Sequence, residues 1–258
     1  MNFHVLIPAR HAATRLPGKP LLDIAGRPMI AHVYERALAS GARNVVIATD
    51  SEQIRAAAQA LGLAVAMTSA EHASGTDRIA EVARSKAWPP DDIVVNVQGD
   101  EPLIPPAIIQ QVAALLEASP RAAVATLATP IATLAEYLDP NVVKVALALT
   151  GRALYFSRAP IPWNRDAALA GWGSQTSHDG ALRHIGIYAY RVQALLRIAG
   201  LVPTPLEQRE RLEQLRVLEN DLDIVVGIAS AVPPAGVDTP ADLERVRQVL
   251  LARAAVPG

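Results

Sequence analysis

The chain contains no cysteine, which excludes disulfides, thiolate catalysis and zinc–thiolate sites together. Charge of one sign is also missing. A formal net charge of −1 gives no footprint for a nucleic acid or an anionic membrane as partner. No apolar run approaches the ~20 residues a membrane helix needs, and the N-terminus lacks the basic-then-apolar pattern of a signal peptide. The expectation is a cytoplasmic protein. Three common motifs are absent as well. No Gly-x-Gly-x-x-Gly follows the first strand, no Gly-x-x-x-x-Gly-Lys-Ser/Thr loop occurs, and no Gly-x-Ser-x-Gly elbow is present. These absences disfavour dinucleotide-dependent redox chemistry, P-loop phosphotransfer and serine hydrolysis. Aromatic residues make up only 4% of the chain while 51% is hydrophobic, which suits a sheet covered by tightly packed helices.

What is present alternates. Residues 4–7, 45–49, 63–68 and 93–98 are continuous apolar runs that read as buried strands. Between them, residues 28–40, 52–61, 76–86 and 106–118 carry helical spacing. Buried strands separated by helices imply a parallel sheet covered on both faces, an α/β fold. The second half reads differently. Residues 142–149 and 153–156 resemble a hairpin around Thr150-Gly151, and residues 159–181 form an irregular stretch rich in Pro, Gly and Trp. A strand at 185–190, a charged amphipathic helix at 206–218 and a last strand at 224–229 follow. Thr239-Pro240 has the form of a helix start, with a capping Thr and Pro at the first position. There is no internal repeat or low-complexity tail, and one domain with an inserted lobe is expected.

The loop after the first strand carries Arg10, Arg15 and Lys19, punctuated by Pro17, Gly18 and Pro20. Cations on a stiff loop at a strand tip suit a polyphosphate, because each can donate charge-assisted hydrogen bonds to phosphate oxygens. A second signal is the strand that ends in Gln98-Gly99-Asp100. Ligands in open α/β sheets collect beyond the carboxyl ends of strands, so Asp100 is expected to face the same crevice. A carboxylate opposite bound phosphates is suited to Mg²⁺. Asp238 lies just ahead of the last helix, where Thr239 already serves as cap, so its carboxylate is expected to join Asp100 on one metal. Residues 72–78 form a polar loop that opens a helix; its backbone N–H groups can meet a base or a phosphate, or its side chains can cap the helix. Arg158, His184, Tyr188, Glu213 and Gln214 could line a sugar pocket, and each also reads as an ordinary surface or core residue.

Long motifs run through the chain: IPAR and TRLPGKPL within 7–22, ATD at 48–50, SGTDR at 74–78 and VNVQGDEP at 95–102. NVVKV at 141–145, ALYFSRAPIPW at 153–163 and RHIGIYAYR at 183–191 follow. LEQLRVLE at 212–219 and GVDTPADLERV at 236–246 complete the set. The chain resembles the 3-deoxy-manno-octulosonate cytidylyltransferases, also called CMP-Kdo synthetases, over nearly its whole length. The opening motif points to sugar-activating nucleotidyltransferases in general; SRAPIPW and RHIGIY narrow it to the Kdo enzymes.

The resemblance implies a Rossmann-like α/β nucleotidyltransferase sandwich with a mostly parallel central sheet and a small β-rich lobe around residues 130–190, usually a homodimer. It implies CTP and Kdo as substrates and Mg²⁺ as cofactor, in lipopolysaccharide biosynthesis. Carried over by motif, Arg10, Arg15 and Lys19 would hold the triphosphate, with Pro8 and Ala9 beside the nucleotide. Ser74, Gly75, Thr76 and Arg78 would contact the cytidine. Asp100 and Asp238 would bind magnesium, and Gln98, Arg158, His184, Tyr188, Glu213 and Gln214 would shape the sugar site. His11 and Ala13 depart from the family pattern, and residues 164–180 and 219–223 follow no pattern. Two other readings are a cytidylyltransferase for a related acidic sugar, such as an amino-Kdo or a sialic acid, and a nucleotide-sensing module that kept the fold without the reaction.

Overall fold

The apolar opening forms β1 (Phe3–Ala9), and its alternation sorts side chains to two faces of one sheet. In the computed structural model, which describes residues 2–11 and 16–254, a short hairpin of β2 (Asp23–Ile24) and β3 (Arg27–Pro28) leads into α1 (Met29–Ala39). Next come β4 (Asn44–Thr49), α2 (Glu52–Ala60), β5 (Val65–Met67), α3 (Gly75–Ser85) and β6 (Ile93–Asn96). After α4 (Pro106–Glu117) the chain forms β7 (Val124–Pro130) and the short α5 (Leu134–Leu138). The hairpin β8 (Lys144–Leu147) and β9 (Ala153–Ser157) precedes the long β10 (Leu182–Arg191), which runs directly into α6 (Val192–Ala199). Two short helices, α7 (Pro205–Glu210) and α8 (Gln214–Glu219), then β11 (Ile224–Ile228) and α9 (Pro240–Ala254) complete the described chain.

The sheet order is β11-β7-β10-β6-β1-β4-β5, with β8 paired to β10 and β9 paired to β8. β1 is parallel to both β4 and β6, β4 to β5, and β7 to β11. β10 is antiparallel to β6, β7 and β8. The expected α/β sandwich with a mostly parallel sheet is therefore present. The chain leaves β1 toward β4 and β5, then returns to β6 on the other side of β1. That reversal opens a crevice beyond the carboxyl ends of β1 and β6, where such sheets bind ligands.

One core lies between the sheet and α1, α2 and α4, and includes Val5, Ile7, Val95, Ile109 and Leu127. The other contains Leu6, Val94 and Val124 with Ile79 of α3, Leu195 of α6 and Leu215 of α8. One expected element is corrected. Residues 206–218 are not one helix: Arg211 adopts a left-handed conformation (φ 55°), ending α7 before α8 begins. An Arg216–Glu207 fork, with Nε–Oε2 at 2.8 Å and Nη2–Oε1 at 2.5 Å, ties the two pieces together across the break. β7, α5 and α6 have no counterpart in the pattern-based assignment.

Candidate active site

β1 and β6 end side by side, and Gly99 makes that possible. A Cβ on Gly99 would stand 2.9 Å from the Pro8 carbonyl oxygen, closer than a side chain tolerates. The resulting concavity, about 160 Å³, is lined by Pro8, Ala9, Arg10, Lys19, Pro20, Gln98, Gly99 and Asp100. Gly18, with φ 68°, turns the loop so that Lys19 points into it. The Lys19 ammonium donates to Asp100 Oδ2 at 2.7 Å and to Asp238 Oδ1 at 3.1 Å. Asp238 arrives because the Val237 N–H donates to the Asp100 carbonyl at 2.9 Å, docking the segment ahead of α9 against the end of β6. Thr239 caps α9 with Asp242, whose Oδ2 accepts from the Thr239 hydroxyl at 2.8 Å, and this leaves the Asp238 carboxylate to face Lys19. The two acids, 138 positions apart in sequence, share one ammonium. Burial pulls the Lys19 pKa down, but its bonds and charge pairing with Asp100 and Asp238 outweigh that and raise it. Burial, with the charge of Asp100 added, pushes the neighbouring Glu101 up to about 8, so at neutral pH it is held as a neutral acid.

The donor set fits a hard divalent cation. Two carboxylate oxygens already converge on one positive charge, and among the described residues no group of three or more His, Cys, Asp or Glu side chains is arranged to hold a metal ion. A protein that contributes so few oxygens suits Mg²⁺, which is commonly held by one or two carboxylates together with substrate phosphates. Arg15 lies outside the described residues.

The other wall of the crevice is the start of α3. Arg10 donates from Nη2 to the His72 carbonyl at 2.7 Å, fixing the loop ahead of the helix. Ser74 and Asp77 form a reciprocal cap, Asp77 N to Ser74 Oγ at 3.1 Å and Ser74 N to Asp77 Oδ2 at 3.0 Å. Gly75 packs against Pro8, where a Cβ would meet the proline ring at 3.4 Å. Arg78 is a correction. Its side chain is fully buried, donating to Asp50 Oδ2 at 2.6 Å and to the Thr68 hydroxyl, so it holds β4 and the next loop to α3 instead of reaching a nucleotide.

A second cavity, about 220 Å³, opens beside the first and shares Gln98 with it. Its lining brings Thr76, Gln98, Tyr188, Glu213 and Gln214 together, with Asn96 and Tyr190 added. The break before α8 turns Glu213 inward; burial raises its pKa against the opposing pull of the Thr76 hydroxyl and Arg216. His184 and Arg158 do not line this cavity. The His184 ring lies 5.3 Å from that of Tyr188 and 5.0 Å from that of Phe156. Arg158 is held by the Glu210 carbonyl at 2.8 Å and the Pro140 carbonyl at 3.1 Å.

Sequence patterns gave no signal for Thr126, yet it fixes His184. The Thr126 hydroxyl has one proton and contacts the carbonyls of Ile187 at 2.7 Å and Ile185 at 3.1 Å, spanning the bulge in β10. Its proton goes to a carbonyl, so His184 Nε2, 2.9 Å away, is assigned as the donor and Nδ1 as the acceptor. Burial drives the His184 pKa down to about 3, which keeps the ring neutral and makes it too weak a base to take a proton at neutral pH.

A paired cation–carboxylate crevice at the switch point of an α/β sheet, with a polar cavity adjoining it, is the arrangement of a nucleotidyltransferase. Residues 4–224 match the family model described as cytidylyltransferase. The chain is 54% identical over 255 residues to the 3-deoxy-manno-octulosonate cytidylyltransferase of Nitrosococcus oceani, covering 97% of each chain. It is 58% identical over 251 residues to that of Cellvibrio japonicus, covering 97% of this chain and 98% of the relative. A solved structure of CMP:2-keto-3-deoxy-manno-octonic acid synthetase complexed with CTP superposes with a TM-score of 0.87 at 42% identity, covering 98% of this chain and 99% of that one. The chain belongs to the 3-deoxy-manno-octulosonate cytidylyltransferase family.

Proposed function

We propose that this chain activates 3-deoxy-manno-octulosonate with CTP, giving CMP-Kdo and pyrophosphate, in a magnesium-dependent reaction. The observation that carries the reading of the site is the meeting of Lys19, Asp100 and Asp238 on one atom, the Lys19 Nζ. The anomeric hydroxyl oxygen of the sugar bonds to the α-phosphorus of CTP, the bond from that phosphorus to the pyrophosphate oxygen breaks, and the hydroxyl proton is released. In-line displacement is mainly a positioning problem. Arg10, Arg15 and Lys19 hold the triphosphate, and Lys19 stabilises charge that grows on the leaving pyrophosphate. Ser74, Gly75 and Thr76 border the cytidine. Magnesium, held by Asp100 and Asp238 with phosphate oxygens, would neutralise charge and make the sugar hydroxyl more acidic.

Gln98 lines both cavities, which supports it as the residue between the α-phosphate and the sugar. Tyr188, Glu213 and Gln214 border the sugar, with His184 and Arg158 at its margin. Held neutral and weakly basic, His184 is not the general base of the reaction. The enzyme acts in the cytoplasm as a homodimer, for lipopolysaccharide biosynthesis. Among the described residues no helix is long and apolar enough to cross a membrane. The test is pyrophosphate release by the purified chain with CTP, Mg²⁺ and a panel of acidic sugars. Release with Kdo is expected; release with a sialic acid but not Kdo, or none with any sugar, would contradict the reading.

A further inference from the structure

β6 and its continuation read Ile93-Val94-Val95-Asn96-Val97, one polar side chain in a run that is otherwise apolar and buried throughout. Ile93, Val95 and Val97 enter the core beneath α4, while Val94 enters the core beneath α3 and α6. Period-two alternation puts Asn96 on the face of Val94, paired across the ladders with Leu6 and Tyr188. An aliphatic residue belongs there on packing grounds alone. Departures from such local rules concentrate at functional sites.

Asn96 is 3% exposed, and its Oδ1 is buried without a hydrogen-bond partner. Leaving a buried amide oxygen unpaired costs folding free energy, so its retention calls for a compensating use. No neighbouring side chain donates to it, and the Thr76 hydroxyl in the same lining is hydrogen-bonded with Tyr190 and Glu213. The side chain lines the same cavity as Gln98, Tyr188, Glu213 and Gln214, and no lysine or arginine is among its lining residues. Beside the donors of Gln98, Gln214 and the two tyrosines, the Asn96 amide oxygen and the Glu213 carboxylate give the cavity hydrogen-bond acceptors with no lysine or arginine in the lining to pair them. It suits hydroxyl groups and repels a carboxylate.

We propose that Asn96 Oδ1 accepts a hydrogen bond from a hydroxyl of the sugar substrate, so that the polyhydroxylated part of the sugar acid enters this cavity and its carboxylate faces out. The proposal rests on the proposed function and adds a specificity-determining residue to it. The substrate hydroxyl completes a polar group that the fold leaves unsatisfied, and a sugar without that hydroxyl leaves it unsatisfied in the complex. A site built to hydrogen-bond a substrate hydroxyl discriminates strongly against an analogue that lacks it.

The test compares wild type with Asn96→Leu, which keeps a branched side chain of similar size without polar atoms. Pyrophosphate release is measured with the parent sugar and with analogues that each lack one hydroxyl. In wild type, one analogue should raise the sugar KM by about tenfold or more. Asn96→Leu should raise the KM of the parent sugar by a similar factor, lose nothing further on that one analogue, keep the CTP KM and melt no lower than wild type. If the variant discriminates among the analogues as wild type does, or if it melts lower with both KM values raised, Asn96 has no such role. Wild-type turnover of the parent sugar is the control. Its absence contradicts the proposed function itself, whereas normal turnover with unchanged discrimination contradicts only the assignment of Asn96.

Discussion

A methyl group on Gly99 would press within 2.9 Å of the Pro8 carbonyl, and that backbone cannot yield without moving the end of β1. Gly99→Ala should therefore lower kcat/KM for CTP by about tenfold or more, read from initial rates, because Pro8, Arg10 and Asp100 share the displaced crevice. Asp100→Ala should abolish turnover at any practical Mg²⁺ concentration, and Lys19→Ala should reduce kcat by at least about tenfold, equal to ~1.4 kcal/mol of barrier. If the loss in Lys19→Ala fell on sugar KM alone, its phosphate role would be contradicted. These residues were legible because fixed charges at strand ends declare themselves in a linear pattern. Arg78 was misread for the same reason: its motif looks like a ligand contact, and only the packing of α3 shows that Asp50 and Thr68 already hold it. Glu213 was assigned to the sugar site by resemblance, since alone it reads as one charge in a solvated helix; the αL residue Arg211 breaks that helix and Glu213 lines the cavity.

Elements follow the same division. The strands and helices of the first half carry clean periods, and their limits moved by no more than a few residues. β7 was silent because VATLATP puts small Ala and Thr where large branched residues would announce a strand, and nearly all of it is buried on both faces. α6 begins at the residue after β10, with no loop to mark the change of period. The stretch from α5 to β9 has its own anchor in Lys144. This fully buried ammonium donates to the carbonyls of Asp139 at 2.9 Å, Val142 at 2.6 Å and Arg158 at 2.7 Å. Burial lowers its pKa. Lys144→Met removes three charge-assisted bonds and leaves carbonyl groups unpaired, so it should cost about 3 kcal/mol of unfolding free energy in a urea titration. Because the Arg158 carbonyl is one of the three, sugar KM should rise while CTP KM holds. A variant as stable as wild type would show that the anchor is dispensable.

At the scale of the whole molecule, stability and assembly are both measurable. His184 titrates near 6.5 when unfolded and at about 3 when folded, so below 6.5 the unfolded chain takes up a proton that the folded one refuses. Acidification from 6.5 toward 3 should therefore cost wild type stability relative to His184→Gln, by at most about 1.4 kcal/mol per pH unit. Glu101, raised to about 8, has the opposite sign but is common to both proteins and cancels in the comparison. Parallel pH curves would contradict the buried neutral imidazole. In solution the chain should sediment at twice its mass of 27.4 kDa. The whole account turns on two distant carboxylates acting as one site, and the Mg²⁺ dependence of pyrophosphate release in a double-mutant cycle tests it directly. Asp100→Asn and Asp238→Asn should each raise the Mg²⁺ concentration needed for half-maximal rate, and the double variant should lose far less than the product of the single losses. Losses that multiply, or a variant with wild-type Mg²⁺ dependence, would mean that the two acids do not serve a common metal.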